Sequence, residues 1–126
     1  MTPRPTAIKL HKGSNTLELV YPEGRHFHLP AEFLRVHSPS AEVRGHGKGN
    51  EVLQIGKVNV RLVKVEPSGQ YAVKMTFDDG HDSGLYTWDY LFELCVDQEA
   101  KWQSYLKRLD DAKASRDPSE SVVRFL

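Results

Sequence analysis

The 126-residue chain has a single cysteine, Cys95. An internal disulfide is therefore excluded, and so is a zinc or iron–sulfur site built from clustered thiolates of one chain. A lone thiol fits a reducing compartment, so a cytoplasmic location is expected. Net charge is also missing, because 17 Lys+Arg face 17 Asp+Glu. Without a basic excess there is no global field to concentrate a phosphate polymer, which argues against nucleic acid as a partner. Long apolar runs are lacking as well. No stretch approaches the ~20 apolar residues that cross a bilayer, and the start MTPRPTAIKL has no signal-peptide core. Neither membrane insertion nor export is expected, and there is no internal repeat or low-complexity tract.

What is present is globular in character: 39% hydrophobic residues, with Trp88 and Trp102 among the aromatics, enough to bury one core. The charges are unevenly placed. Asp78 to Glu99 holds seven carboxylates and no lysine or arginine, which predicts an acidic patch.

Apolar alternation in Ala7–Tyr21 around the turn Lys12-Gly13-Ser14-Asn15 predicts a hairpin, and Arg25–Leu29 a third strand after Pro22-Glu23-Gly24. Pro30 suits the first position of a short helix, Pro30–Val36. His37 to Gly49, rich in glycine and serine, reads as a long surface loop; its Gly45-His46-Gly47-Lys48-Gly49 lacks the spacing of a phosphate cradle. Val58–Val65, Tyr71–Phe77 and His81–Tyr86 predict a three-stranded meander with turns at Glu66–Gly69 and Asp78–Gly80.

Thr87 can cap a helix from Trp88 to about Val96, with Trp88, Leu91, Phe92 and Cys95 on one face. Asp97 can cap another to about Lys113, striped by Trp102, Tyr105, Leu106, Leu109 and Ala112 as core or a dimer seam. About six short antiparallel strands first and helices last predict an α+β domain. Ala114–Ser121 reads as a flexible tail that ends in the apolar peptide Val122–Leu126.

Two stretches carry a resemblance: Leu34-Arg35-Val36-His37-Ser38-Pro39-Ser40-Ala41-Glu42-Val43-Arg44-Gly45-His46-Gly47, and Phe77-Asp78-Asp79-Gly80-His81-Asp82-Ser83-Gly84-Leu85-Tyr86-Thr87-Trp88-Asp89-Tyr90-Leu91. Together they resemble the DUF971 family, related to the N-terminal domain of γ-butyrobetaine hydroxylases. The resemblance spans roughly residues 5–97. It implies residues 1–97 as that domain; the helix 98–113, packed on or extending it, and the flexible tail 114–126 lie outside the resemblance. In the hydroxylases the domain holds a zinc through three cysteines after a Leu-Arg pair and one histidine in a Gly-His-x-Ser element. By position the histidine is His81, and the cysteines are replaced by Ser38, Ser40 and Val43, so the resemblance implies a lost zinc site. Oxygenase chemistry belongs to a separate domain with a two-histidine, one-carboxylate iron site. No histidine here is followed two residues later by Asp or Glu, so hydroxylation is not implied. The wider family also fuses this domain to carriers of iron–sulfur clusters.

Two functions follow as expectations. The first is a non-catalytic binding or scaffold module, a monomer or homodimer, in which His37–Gly49 and Gly80–Trp88 form one surface for a protein partner. Arg35, Arg44, His81, Tyr86 and Trp88 are its candidate contacts. The second is a metal-binding or iron–sulfur accessory protein with His37, His46, His81 and Asp82 as ligands for zinc or iron. The competing reading of His81 is a hydrogen bond that holds the loop against the meander. His26 and His28, two apart on a strand, point to one face and can chelate a metal or simply face solvent. Asp78, Asp79, Asp82 and Asp89 lack the spacing of a calcium loop. Cys95, on an apolar helix face with no base nearby in sequence, reads as a buried hydrophobe, and no catalytic residue is assigned.

Overall fold

A computed structural model describes residues 2–45 and 51–119. The class is α+β: two three-stranded antiparallel sheets and four helices. β1 (Ala7–His11), β2 (Thr16–Val20) and β3 (His26–Pro30) form the first sheet in that order. Its inner face carries Ile8 and Leu10, Leu17 and Leu19, and Phe27 and Leu29; Leu17, Leu19 and Leu29 are fully buried. Its outer face carries Lys9, His11, Glu18, His26 and His28, as the two-residue strand period requires.

The second sheet, β4 (Leu62–Ser68), β5 (Ala72–Phe77) and β6 (Leu85–Thr87), is the expected meander with shifted ends. β4 begins four residues late because Val60 closes a turn by donating to the Lys57 carbonyl (3.1 Å). Tyr71, 76% exposed, lies in the turn rather than in β5. β6 is only three residues long because the Phe77 amide donates to the His81 carbonyl (2.9 Å) and turns the chain there. Six strands thus exist, divided between two sheets.

Asn15 stitches the sheets together. Its left-handed backbone (φ 58°) turns the first hairpin, a conformation that Asn tolerates better than most residues. Its side-chain amide donates to the Val60 carbonyl (2.9 Å) and accepts from the Leu62 amide (3.1 Å).

α1 (Ala31–Val36) is buried on every residue, and Pro30 precedes it as its N-cap. α2 (Ala41–Arg44) is a single turn inside the segment expected to be loop. α3 (Trp88–Val96) is capped as anticipated, the Thr87 hydroxyl accepting from the Tyr90 amide (3.1 Å). α4 (Gln98–Asp111) follows directly; Asp97 enters it without a side-chain cap. The main core runs from Leu17, Phe33 and Leu34 through Met75 and Tyr86 to Leu91, while Tyr105 and Leu109 of α4 bury against Val36 in a second cluster. Of the α4 stripe, Tyr105 and Leu109 are therefore core, Trp102 and Leu106 are partly buried, and Ala112 is exposed. Cys95 is free and buried, its thiol pushed up to about 11 by burial.

Residues 114–119, expected to be flexible, are held. Gly56 and Val58 donate amides to the carbonyls of Ser115 (2.9 Å) and Arg116 (3.1 Å), and Arg116 forms a two-pronged pair with Glu32 (2.7 and 2.6 Å). Val122–Leu126 and His46 lie outside the described residues. Among the described residues no helix is long and apolar enough to cross a membrane.

Candidate functional site: a buried clasp beneath an open groove

Helix α1 ends in the Leu34-Arg35 pair and points Arg35 inward, its side chain 8% exposed. Arg35 Nε donates to Asp79 Oδ2 (2.9 Å) and Nη1 to Gln54 Oε1 (3.0 Å). Lys57 Nζ donates to the same Asp79 oxygen (2.9 Å), and the other oxygen accepts from the His81 amide (3.2 Å). Burial alone would raise the Asp79 carboxyl. The bonds from Lys57, the His81 amide and Arg35 outweigh it and hold the group at about 2. The turn Asp78–Gly80, with Gly80 at φ +88°, is thereby anchored to α1. Two carboxylates of the anticipated acidic patch are paired in this way with cations from elsewhere in the chain, Asp79 here and Glu93 with Lys101 (2.8 Å).

The same turn delivers His81 to the segment after α1. His81 Nε2 lies 2.8 Å from Ser38 Oγ and 3.4 Å from Ser40 Oγ, and Nδ1 lies 3.6 Å from Glu42 Oε2. Burial, with Arg35 adding to it, holds the imidazole below its ordinary value, so the neutral ring is favoured. A tautomer protonated on Nδ1 faces Glu42 and leaves Nε2 to accept from Ser38. Serine, imidazole and carboxylate in this order resemble the relay of a hydrolase. Access decides against that chemistry. Ser38 is 1% exposed, and a Cβ added to Gly84 would overlap its Oγ while meeting Pro39 and the Tyr86 ring at 3.3 Å. No acyl group reaches a hydroxyl packed so closely, and the constellation is a clasp. It binds the loop through hydroxyls rather than through backbone.

Other expected site residues are also structural. Tyr86 is fully buried, its hydroxyl donating to the Leu34 carbonyl (2.5 Å) and its acidity suppressed by burial. Trp88 is partly buried, with Nε1 donating to the Gln70 carbonyl (2.7 Å) and Arg4 stacked over its ring. Arg35, His81 and Tyr86 are thus not available to touch a partner, and of the five anticipated contacts Arg44 is the exposed one. His37 is not free either. Its Nδ1 lies 2.9 Å from the Phe33 carbonyl, its ring packs on Phe33 at 4.5 Å, and burial lowers its pKa. Asp82 is exposed and faces Lys74 at 3.9 Å. Among the described residues His37, His81 and Asp82 form no common ligand set.

Above the clasp lies an open groove of about 1030 Å³. Its one wall is the segment 36–45, its other the Tyr90–Glu93 turn of α3 and the Lys101, Ser104, Tyr105 and Arg108 face of α4. Those four α4 residues are spaced i, i+3, i+4, i+7, so they share one side of the helix. That spacing was open to view in the sequence, but only the fold sets it opposite Arg44. Tyr90 Oη donates to the His37 carbonyl (2.6 Å) and carries Arg44 over its ring at 5.0 Å. Tyr105 Oη donates to the Gln54 carbonyl (2.7 Å), and Arg108 donates to the Glu51 carbonyl (3.0 Å).

The family described as gamma-butyrobetaine hydroxylase-like, N-terminal, matches residues 8–92, about two thirds of the length. The chain belongs to this family. A solved NMR structure is 61% identical over 100% of this chain and 99% of its own, with a TM-score of 0.84. Another is 48% identical over 99% of this chain and 94% of its own, at 0.78. A crystal structure of a DUF971 family protein of unknown function from Acidithiobacillus ferrooxidans is 35% identical, covering 72% of this chain and 91% of its own, at 0.60. No curated protein matches. The full-length likeness to the first structure shows that α4 belongs to the shared fold even though the family match ends before it.

Family membership brings back the zinc site that the resemblance implies is lost in this chain. Its positions do converge, since Ser38 and Ser40 meet His81, and Val43 is buried in α2 close by in sequence. The donors do not fit. Two hydroxyls and an isopropyl group replace three thiolates, and His81 Nε2 is already hydrogen-bonded to Ser38. Here the histidine cross-links the loop to the turn directly, as metal ligation does in the relatives that the resemblance invokes.

Proposed function

We propose that this chain is a non-catalytic binding module whose recognition surface is the groove between residues 36–45 and α4. The observation that carries the reading is the placement of exposed Arg44 on α2, beside the clasp, opposite exposed Ser104 and Arg108 on α4, whose inner face packs through Tyr105 and Leu109 against Val36. A surface held this firmly loses little entropy when it binds. At the rim Arg44, Lys101 and Arg108 outnumber Glu51 and Glu93, so the partner is a protein segment that carries carboxylates. Arg35, His81 and Tyr86 act beneath the surface by positioning it.

A photo-crosslinking residue at Ser104, with Lys64 on β4 as the control position, tests this in the cell of origin. One discrete adduct is expected from position 104 and none from 64, and Arg44→Glu with Arg108→Glu should abolish it without moving the thermal midpoint. An adduct that survives the charge reversal, or the absence of any adduct, refutes the groove as the binding surface.

A further inference from the structure

The outer face of the first sheet gathers four groups that the groove does not use. His11 ends β1, Glu18 is central in β2, and His28 of β3 pairs with Glu18 in register while His26 lies two residues before it on the same strand. Because side chains alternate along a strand, all four project from the same face. Glu18 Oε1 lies 2.8 Å from His11 Nε2 and 3.7 Å from His28 Nε2, and Oε2 lies 2.9 Å from His26 Nδ1. The ligand atoms of His11, Glu18 and His28 all fall within 4.8 Å of one another.

We propose that this face is a binding site for one divalent transition cation of the zinc class, held by His11 Nε2, Glu18 Oε1 and His28 Nε2, with water completing the shell. Bonds of about 2.1 Å at a tetrahedral ion place neighbouring donor atoms roughly 3.4 Å apart. The two measured edges, 2.8 and 3.7 Å, bracket that separation. The third edge closes by rotation of two rings whose side chains are 43% and 58% exposed, and this exposure also leaves an entry path. Three adjacent strands carry the donors, so little backbone has to move. His26 is a positioning residue: it bonds the oxygen that the cation does not use and fixes the plane of the carboxylate. Imidazole and carboxylate suit zinc, nickel or copper better than calcium, which takes oxygen donors. Lys9, across from Glu18 in register, is the nearby cation that the site must tolerate.

The rival account is a plain cluster of imidazole–carboxylate pairs, and zinc titration of the untagged, chelator-treated full chain separates the two. The ring resonances of His11 and His28 should move together and saturate at one equivalent. His11→Ala, His28→Ala and Glu18→Gln should each weaken binding more than roughly tenfold, and His26→Ala by roughly tenfold with the stoichiometry kept. Zinc should also raise the thermal midpoint of the parent chain but not of His11→Ala. Rings that stay still or never saturate, or variants that bind like the parent, overturn the site. Shifts confined to His37 and His81 would overturn it equally.

Discussion

Gly84 shapes the clasp through the atom it lacks. Any Cβ there would overlap Ser38 Oγ and meet Pro39 and the Tyr86 ring at 3.3 Å, so the buried hydroxyl has to shift. Gly84→Ala should therefore destabilise the fold by about 1–3 kcal/mol through overpacking. His81→Ala acts on the opposite side of the same contact and should cost about 2 kcal/mol, because it takes the imidazole acceptor from the buried Ser38 hydroxyl and leaves it only the long bond from the Ser40 amide (3.3 Å). Urea unfolding of both variants and of the double variant checks the pair. Strong non-additivity is expected, since each change destroys the same hydrogen bond, and simple addition would show that Gly84 and His81 act independently. At this scale the sequence was half legible. His81 could be read as the residue that ties loop to turn, because the resemblance pointed there. The resemblance also aligned Ser38 and Ser40 with the metal positions beside it, but it gave neither their hydrogen bonds to the ring nor Glu42, because they lie about forty residues upstream and nothing in linear spacing brings them to it. Asp79 was hidden for the same reason: among four aspartates it read as solvated, whereas Arg35 and Lys57 make it the anchor of the turn.

Element by element, the periodic segments were the readable ones. Apolar alternation, weak in β1 and β2, marked β1 to β3 and β5, and helical spacing marked α3 and α4, because burial of one face writes itself into the sequence. The misreadings fall where tertiary bonds override pattern. Val58 and Val60 look like strand but serve a turn, and α2 was lost in a segment whose glycines and serines signal loop. The strip 114–119 reads as flexible because it is polar, yet two backbone bonds and one charge pair anchor it. Glu32 has a side chain only 8% exposed, and Arg116 meets both of its oxygens while lying over the Trp102 ring. Removing the guanidinium strands a buried carboxylate, so Arg116→Ala should cost about 1–3 kcal/mol. Amide exchange locates the loss: Gly56 and Val58, which bond to this strip, should exchange faster, while β5 should slow or hold. If the strip amides keep their protection, Arg116 is not what docks it.

At the scale of the whole molecule, a chain with no net charge should still depend on pH, because several of its titrating groups are held away from their ordinary values. His37 and His81 are both held below their ordinary value of 6.5, in each case chiefly by burial. The unfolded chain therefore takes up protons first, so their contribution is complete above about pH 6.5 and drains away as pH falls toward the folded values. Glu18 and Asp79 titrate in a lower window. Glu18, held at about 2 by bonds from His11 and His26, and Asp79, held at about 2 by its partners against burial, contribute above their ordinary values of 4.5 and 3.8 and lose that contribution below them. Stability should then show a plateau at neutral pH, a first decline starting near 6.5 and a steeper one below about 4.5. Urea midpoints measured across this range, in chelator so that no cation holds the outer histidines, test the shape. His81→Ala should lower the plateau yet flatten the first decline, because the variant has one fewer buried imidazole to charge. An unchanged slope would mean that His81 is already free to titrate in the folded protein, and the clasp described here would then not hold at the pH where the protein works.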